Sequence, residues 1–200
     1  MKRLQPQSQT SRMAAGFSLL ELMVVVAIIA MISAMASPQL MSLMRENAVF
    51  DAADQVRASL GETRRYAIDT GIDYEFRFEV NGATAVVLPS ESEQNVNEAG
   101  QSTTTDSYIR MLVELPEGMR IRADEDVEMA TETLDPERFG QLGGSQLAQK
   151  AWATAVLFRF DGTSDDFVFR VSDKEGLTCK VTLRGLTGTS KTGLVYQEDD

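Results

Sequence analysis

Histidine is absent from the 200 residues, and cysteine occurs once, at Cys179. The first absence removes imidazole metal ligands, Ser-His-Asp triads and the usual general base near neutral pH. The second removes intrachain disulfides and thiolate metal clusters. Phosphate-binding glycine loops, nucleophile elbows and dinucleotide fingerprints are missing too. Basic residues are scarce: 19 Lys and Arg stand against 30 Asp and Glu, for a formal net charge of -11. Three of those bases (Lys2, Arg3 and Arg12) precede Gly16. So acidic a body is repelled by a phosphate backbone, and no nucleic-acid partner is expected. An enzyme made from this chain would have to use carboxylates, lysine or tyrosine. Nothing in the sequence arranges them for catalysis, so the expectation is a non-enzyme without a cofactor or metal.

What the chain does have is a long apolar run near its start. Residues 1–16 are polar and basic and end in small residues, while residues 17–37 carry one charge, Glu21. At about 1.5 Å per residue, such a run as a helix spans a bilayer core of about 30 Å. The basic flank lies on its N-terminal side, which leaves the N-terminus in the cytoplasm and the body outside. A plain signal anchor is one reading. A secretory signal peptide is another, because Ala34-Met35-Ala36 fits the small-x-small pattern cut by signal peptidase. Glu21 weighs against both. A lone carboxylate in an apolar span costs about 2.5–3.5 kcal/mol on insertion scales, and such groups usually have a functional partner.

Gly16 followed by Phe17-Ser18-Leu19-Leu20-Glu21 resembles the prepilin peptidase site of type IV pilins and type II secretion pseudopilins. The resemblance implies cleavage after Gly16 and N-methylation of the new terminal residue, Phe17. It makes Glu21 the fifth residue of the mature chain and the assembly carboxylate, facing the Phe17 amine of a neighbouring subunit. Pairing would offset the cost of burying that carboxylate. Pro38 matches a proline often found at mature position 22 of the family. Lacking an N–H and clashing with the preceding turn, it is expected to kink the helix.

Beyond the apolar run, Val49, Ala53, Val56, Leu60 and Ala67 form one stripe of an amphipathic helix, with charges on the other faces. Gly71 is its stop signal. The period then becomes two. Ile72, Tyr74, Phe76, Phe78 and Val80 alternate with Asp73, Glu75, Arg77 and Glu79, the pattern of a half-buried strand. Asn81-Gly82 predicts a type I′ hairpin to a strand over residues 83–88. Residues 89–107 read as an exposed loop. Tyr108–Leu115 reads as a strand, and Met119–Ala123 as its hairpin partner across Pro116-Glu117-Gly118. Residues 124–150 read as a long insertion loop with a short helix. Further strands are expected over residues 151–160, 167–171, 177–184 and 193–196, with a turn at Asp161-Gly162-Thr163. No internal repeat or linker-bounded second domain is visible.

In the C-terminal half, Val156–Ser164 resembles the strand and Asp-Gly-(Ser/Thr) turn of the H-type pseudopilin domain. Thr178–Arg184, Leu186-Thr187-Gly188 and Leu194-Val195-Tyr196 look similar to its last strands. The run Thr189–Thr192 departs from that pattern and is expected to lengthen the turn. The fold implied is α+β: a pilin-like long N-terminal helix packed on an antiparallel β-rich globular domain. The expected organisation is a cleaved leader over 1–16, a hydrophobic transmembrane and assembly helix over 17–44, its amphipathic continuation over 45–70 and the β-rich domain over 71–200. The function implied is that of a minor pseudopilin of a type II protein secretion system. It would be inserted in the inner membrane as a single-pass protein, with its body periplasmic, and assembled into a periplasmic pseudopilus. Its partners would be a prepilin peptidase, the other pseudopilins of the filament and the inner-membrane assembly platform. Two alternatives stay open: a minor pilin of a type IV pilus or DNA-uptake apparatus, and a secreted soluble binding protein cleaved after Ala36.

Other candidate sites have simpler readings. Asp124-Glu125-Asp126 with Glu128 could offer oxygens to calcium, but the EF-hand spacing is missing and a solvated loop is expected. Major pseudopilins hold calcium in a C-terminal loop, yet no run here matches it. Asp165-Asp166 beside Asp161 reads as a turn signal. Cys179, with Leu177, Val181 and Leu183, is expected on an inward face as an inert thiol. Trp152 is expected in the core rather than as an interface anchor.

Overall fold

The computed structural model describes residues 17–90, 109–124, 130–139 and 144–198, with the side chains of residues 35–38, 137 and 144 outside that description. The expected leader, most of the 89–107 loop and residues 125–129 and 140–143 therefore lie outside it. The chain divides into two compact units, residues 1–43 and 44–200. The first contributes the start of helix α1 (Leu19–Thr70), and the second holds the rest of α1 and all the strands.

Within the second unit, α1 buries the predicted stripe. Val49, Ala53, Val56, Leu60 and Ala67 are all fully buried. Thr63 fills the gap between Leu60 and Ala67, its hydroxyl donating to the Ser59 carbonyl at 2.7 Å. The helix ends where Gly71 adopts φ +70° and its N–H returns to the Ala67 carbonyl at 3.0 Å, as the stop signal required.

Two four-stranded antiparallel sheets share a core with this helix. The first runs β3 (Met111–Glu114), β2 (Thr84–Pro89), β1 (Tyr74–Phe78) and β7 (Val156–Phe158). The second runs β10 (Thr189–Gln197), β9 (Leu177–Arg184), β8 (Phe167–Ser172) and β4 (Arg120–Ala123). Phe76 and Phe78 meet Phe169 edge-to-face at 5.5 and 5.6 Å between centroids, so aromatic rings join the two sheets. The α+β fold, a long N-terminal helix followed by antiparallel sheets, is the one expected.

Several local expectations need correction. β1 is buried on both faces, not half-buried. Its outward residues Glu75 and Arg77 are covered by residues 130–139 and 144–153, which build a second core instead of an exposed insertion. That segment contains β5 (Thr131–Glu132), a 3₁₀ turn (Pro136–Phe139), α2 (Gly144–Ala148) and β6 (Trp152–Ala153). Leu134, Phe139, Leu147 and Trp152 pack there on Val86, Leu88 and Ile109. Residues 151–160 accordingly form two strands with different partners: β6 pairs with β5, and β7 with β1.

Met119–Ala123 is not the partner of the preceding strand. β3 pairs with β2, whereas β4 pairs with β8, because the Pro116–Met119 turn carries the chain from one sheet to the other. This places Ile121 opposite Val171 in the shared core. The Asn81-Gly82 hairpin exists, but only Asn81 has positive φ (57°). The tight turn spans Glu79–Gly82, closed by the Gly82 N–H on the Glu79 carbonyl at 3.0 Å, so it is not type I′. Finally, Thr189–Thr192 does not lengthen a turn. It is the start of β10, paired with Arg184, Leu183, Thr182 and Val181, and the chain reverses over Gly185–Gly188.

Candidate functional site

The N-terminal segment begins at Phe17, because Gly16 lies outside the described residues. Phe17 is exposed, and Ser18 caps the helix that starts at Leu19. The Glu21 N–H donates to Ser18 Oγ at 3.2 Å, and the Leu22 N–H to the Ser18 carbonyl at 3.2 Å. Ser18-x-x-Glu21 has the residue pattern of a capping box, and a carboxylate in the first turn suits the positive end of the helix dipole. This local role for Glu21 was missed in reading the sequence, although the Ser-x-x-Glu spacing signals it. The backbone amide of Glu21 is thus satisfied, while its carboxylate has no hydrogen-bond or ion partner among the described residues. Through the rest of this segment no charged residue occurs from Leu22 to Met44. Its large apolar side chains, from Phe17 and Leu19 through Ile32 and on from Leu40 to Met44, are exposed.

No single helix among the described residues is long and apolar enough to cross a membrane. Leu19–Ala34 and Gln39–Thr70 meet that test as a pair, by length and composition. Pro38 lies within α1, but its side chain is outside the description.

The other candidates have structural roles. Asp161 Oδ1 accepts from the Thr163 N–H at 2.9 Å and its hydroxyl at 2.7 Å, which holds the carboxyl below the usual range and makes the expected turn. Arg64 Nε donates to the Gly162 carbonyl at 3.0 Å, tying that turn to α1. Asp165 receives Arg159 at 2.8 Å and the Leu157 N–H at 3.1 Å, and Asp166 receives the Gly185 N–H at 2.8 Å. Cys179 is fully buried, and burial pushes its thiol up, away from the thiolate that reactivity needs. Trp152 is also fully buried, with Nε1 donating to the Leu147 carbonyl at 2.9 Å.

Asp124 does not face a cation site in the described structure: it pairs with Arg170, with Lys180 Nζ at 3.7 Å. Glu125, Asp126 and Glu128 lie outside the described residues. Among the residues described, no group of three or more His, Cys, Asp or Glu is placed to hold a metal.

Two charge networks went unread in the sequence. Arg77 Nε donates to Glu75 at 2.8 Å and Nη1 to Glu132 at 2.6 Å, while Arg138 Nη1 lies 3.5 Å from Glu75. In the other network Arg170 bonds Asp124 and Glu198, and Arg122 bonds Glu198. Burial pushes the Glu198 carboxyl up, but the hydrogen bonds and charges of Arg122 and Arg170 outweigh it and leave the group below the usual range. The only sequence signal was the alternation of opposite charges along β1.

Set beside known proteins, the N-terminal sequence matches one described family model. Residues 11–37 match the family model described as the Prokaryotic N-terminal methylation motif. No curated protein matches the chain. Among solved structures, one of the minor pseudopilin EpsH from the type II secretion system of Vibrio cholerae is 16% identical, with TM-score 0.45. The match covers 77% of this chain and 99% of that one. Another structure of the same protein is also 16% identical, with TM-score 0.41, over 71% of this chain and 93% of that one.

Proposed function

We propose that this chain is a minor pseudopilin of the H type, an architectural subunit of a type II secretion pseudopilus. The observation that carries the reading is the methylation motif at the head of α1, a helix that presents one carboxylate and then an uncharged apolar surface before reaching its β-rich body. Cleavage after Gly16 turns the Phe17 nitrogen into a cationic amine. The Glu21 carboxylate, without a hydrogen-bond or ion partner among the described residues, is then available to the amine of a neighbouring subunit. Contact between the apolar helices contributes packing at about 25 cal/mol per Å² buried. Lipid is itself apolar, so burial alone does not drive extraction from the membrane; that work falls to the assembly platform. The body resides in the periplasm, and the uncut leader in the cytoplasm.

Complementation of a deletion strain tests this. The wild-type chain restores export of secreted proteins, whereas Glu21→Ala inserts, folds and fails to restore it. A deletion that leaves export intact but removes surface pili replaces this reading with that of a minor pilin.

A further inference from the structure

The end of the uncharged run coincides with a tether. Arg45 is the first charged residue after Glu21. Its Nε and Nη2 donate to Asp173 Oδ2 at 3.2 and 2.7 Å, and Nη1 lies 2.6 Å from Glu175 Oε2. Asp173 is held in place before Arg45 reaches it. Its other oxygen accepts the N–H groups of Glu175 and Leu177, both at 2.9 Å, which fixes the β8–β9 turn. Gln197 Nε2 donates to the Glu175 carbonyl at 2.8 Å, and the Glu198 N–H to the Gly176 carbonyl at 3.0 Å, so the end of β10 holds the turn from its other side. On the helix, full burial begins only at Val49, one turn after Arg45. Within that turn only Ala48 touches the core, and it is half-buried, so the Arg45 end of the turn depends on a polar contact.

We propose that Arg45, Asp173 and Glu175 form a releasable brace that sets the point at which α1 comes under the control of the body. With the brace closed, that point is Arg45; with it open, the point moves one helical turn to Val49. The length of helix able to bend independently of the body changes accordingly. The guanidinium spans two carboxylates, with Nε and Nη2 on one oxygen of Asp173 and Nη1 on Glu175, which makes the contact directional, and the 40% exposure of the Arg45 side chain leaves it open to competing ions. The brace goes beyond the filament reading and does not rest on it, since it would act on the helix of any anchored form of this chain.

Hydrogen exchange of the full chain in detergent micelles tests it. Arg45→Gln removes the cation and leaves the Asp173 turn intact. The expected result is about three- to ten-fold faster exchange over residues 45–52, with residues 56–67 and strands β8 and β9 at the wild-type rate. Arg45→Lys, which keeps the charge and loses the fork, falls between the two, and high salt moves the wild type towards Arg45→Gln. Unchanged exchange over residues 45–52 would overturn the brace. So would equal acceleration over residues 56–67 and the strands, because the pair would then be an ordinary stabiliser of the whole body.

Discussion

Replacing Trp152 tests whether residues 130–139 and 144–153 are a covering layer or dispensable. The indole is fully buried, lies 5.9 Å from the Phe139 ring centroid to centroid, and donates to the Leu147 carbonyl at 2.9 Å. Trp152→Ala removes the largest side chain of the second core and leaves a cavity among Val86, Leu88, Leu134 and Leu147. Truncations of this kind cost about 3–5 kcal/mol. For a body of this size that is a drop in Tm of about 6–20 °C. Trp152→Phe keeps a ring beside Phe139 and loses the indole donor, so a smaller cost is expected, about 1–2 kcal/mol. Urea unfolding of the full chain in micelles, followed by circular dichroism, measures both; fluorescence is unsuitable because Trp152 is the only tryptophan. A cost below about 1 kcal/mol for Trp152→Ala would refute the covering-layer argument, since a fully buried indole in a packed core cannot be that cheap to remove.

Three further outcomes are expected. Glu75→Leu alone removes the carboxylate shared by Arg77 and Arg138 and costs about 3–5 kcal/mol; the double variant Glu75→Leu/Arg77→Met recovers part of that loss, as measured by urea midpoints. Asp173 and Glu198 both sit below the usual carboxylate range, despite burial that pushes each upward: the Arg45 hydrogen bond and backbone donors lower the first, and Arg122 with Arg170 lowers the second. A depressed carboxylate contributes stability above its unfolded pKa of about 4, lost as pH falls through the folded value, so an acid titration of Glu198→Gln should show a weaker dependence below about pH 4 than the wild type. Gly188 has φ +57° and a Cβ there would lie 2.4 Å from the Gly162 carbonyl oxygen, so Gly188→Ala should lower thermal stability by at least the 1–2 kcal/mol of left-handed strain, roughly.

The elements legible in the sequence are those whose burial follows one local period. The stripe from Val49 to Ala67 buries as its spacing requires, Gly71 stops the helix, and β9 spans the predicted Leu177–Arg184. The misreadings share a cause: partners distant in sequence. Glu75 and Arg77 looked solvated because nothing near them announces that Glu132 and Arg138 would neutralise them. Strand β4 looked like a hairpin partner because a Pro-Glu-Gly turn usually makes one, and only the place of Ile121 between sheets shows otherwise. Thr189–Thr192 resembled turn residues, yet two threonines, a serine and a lysine also suit an exposed edge strand. At the N-terminus the motif was readable because the residues that carry it, Gly16, Phe17 and Glu21, fall within six positions, and residues 11–37 match the methylation-motif model. Charge alternation on β1 and the Ser18-x-x-Glu21 spacing were both visible in the sequence, but only the second has a mechanism that needs no distant partner.

The proposed function depends on how the N-terminus is processed, so the most direct measurement is the mass of the N-terminal peptide of the mature protein isolated from its native cell. The account predicts a chain that begins at Phe17 and carries one added methyl group on its amine. A chain that begins at Ser37 would contradict it, because Glu21 and most of the apolar run would then have been discarded with a signal peptide.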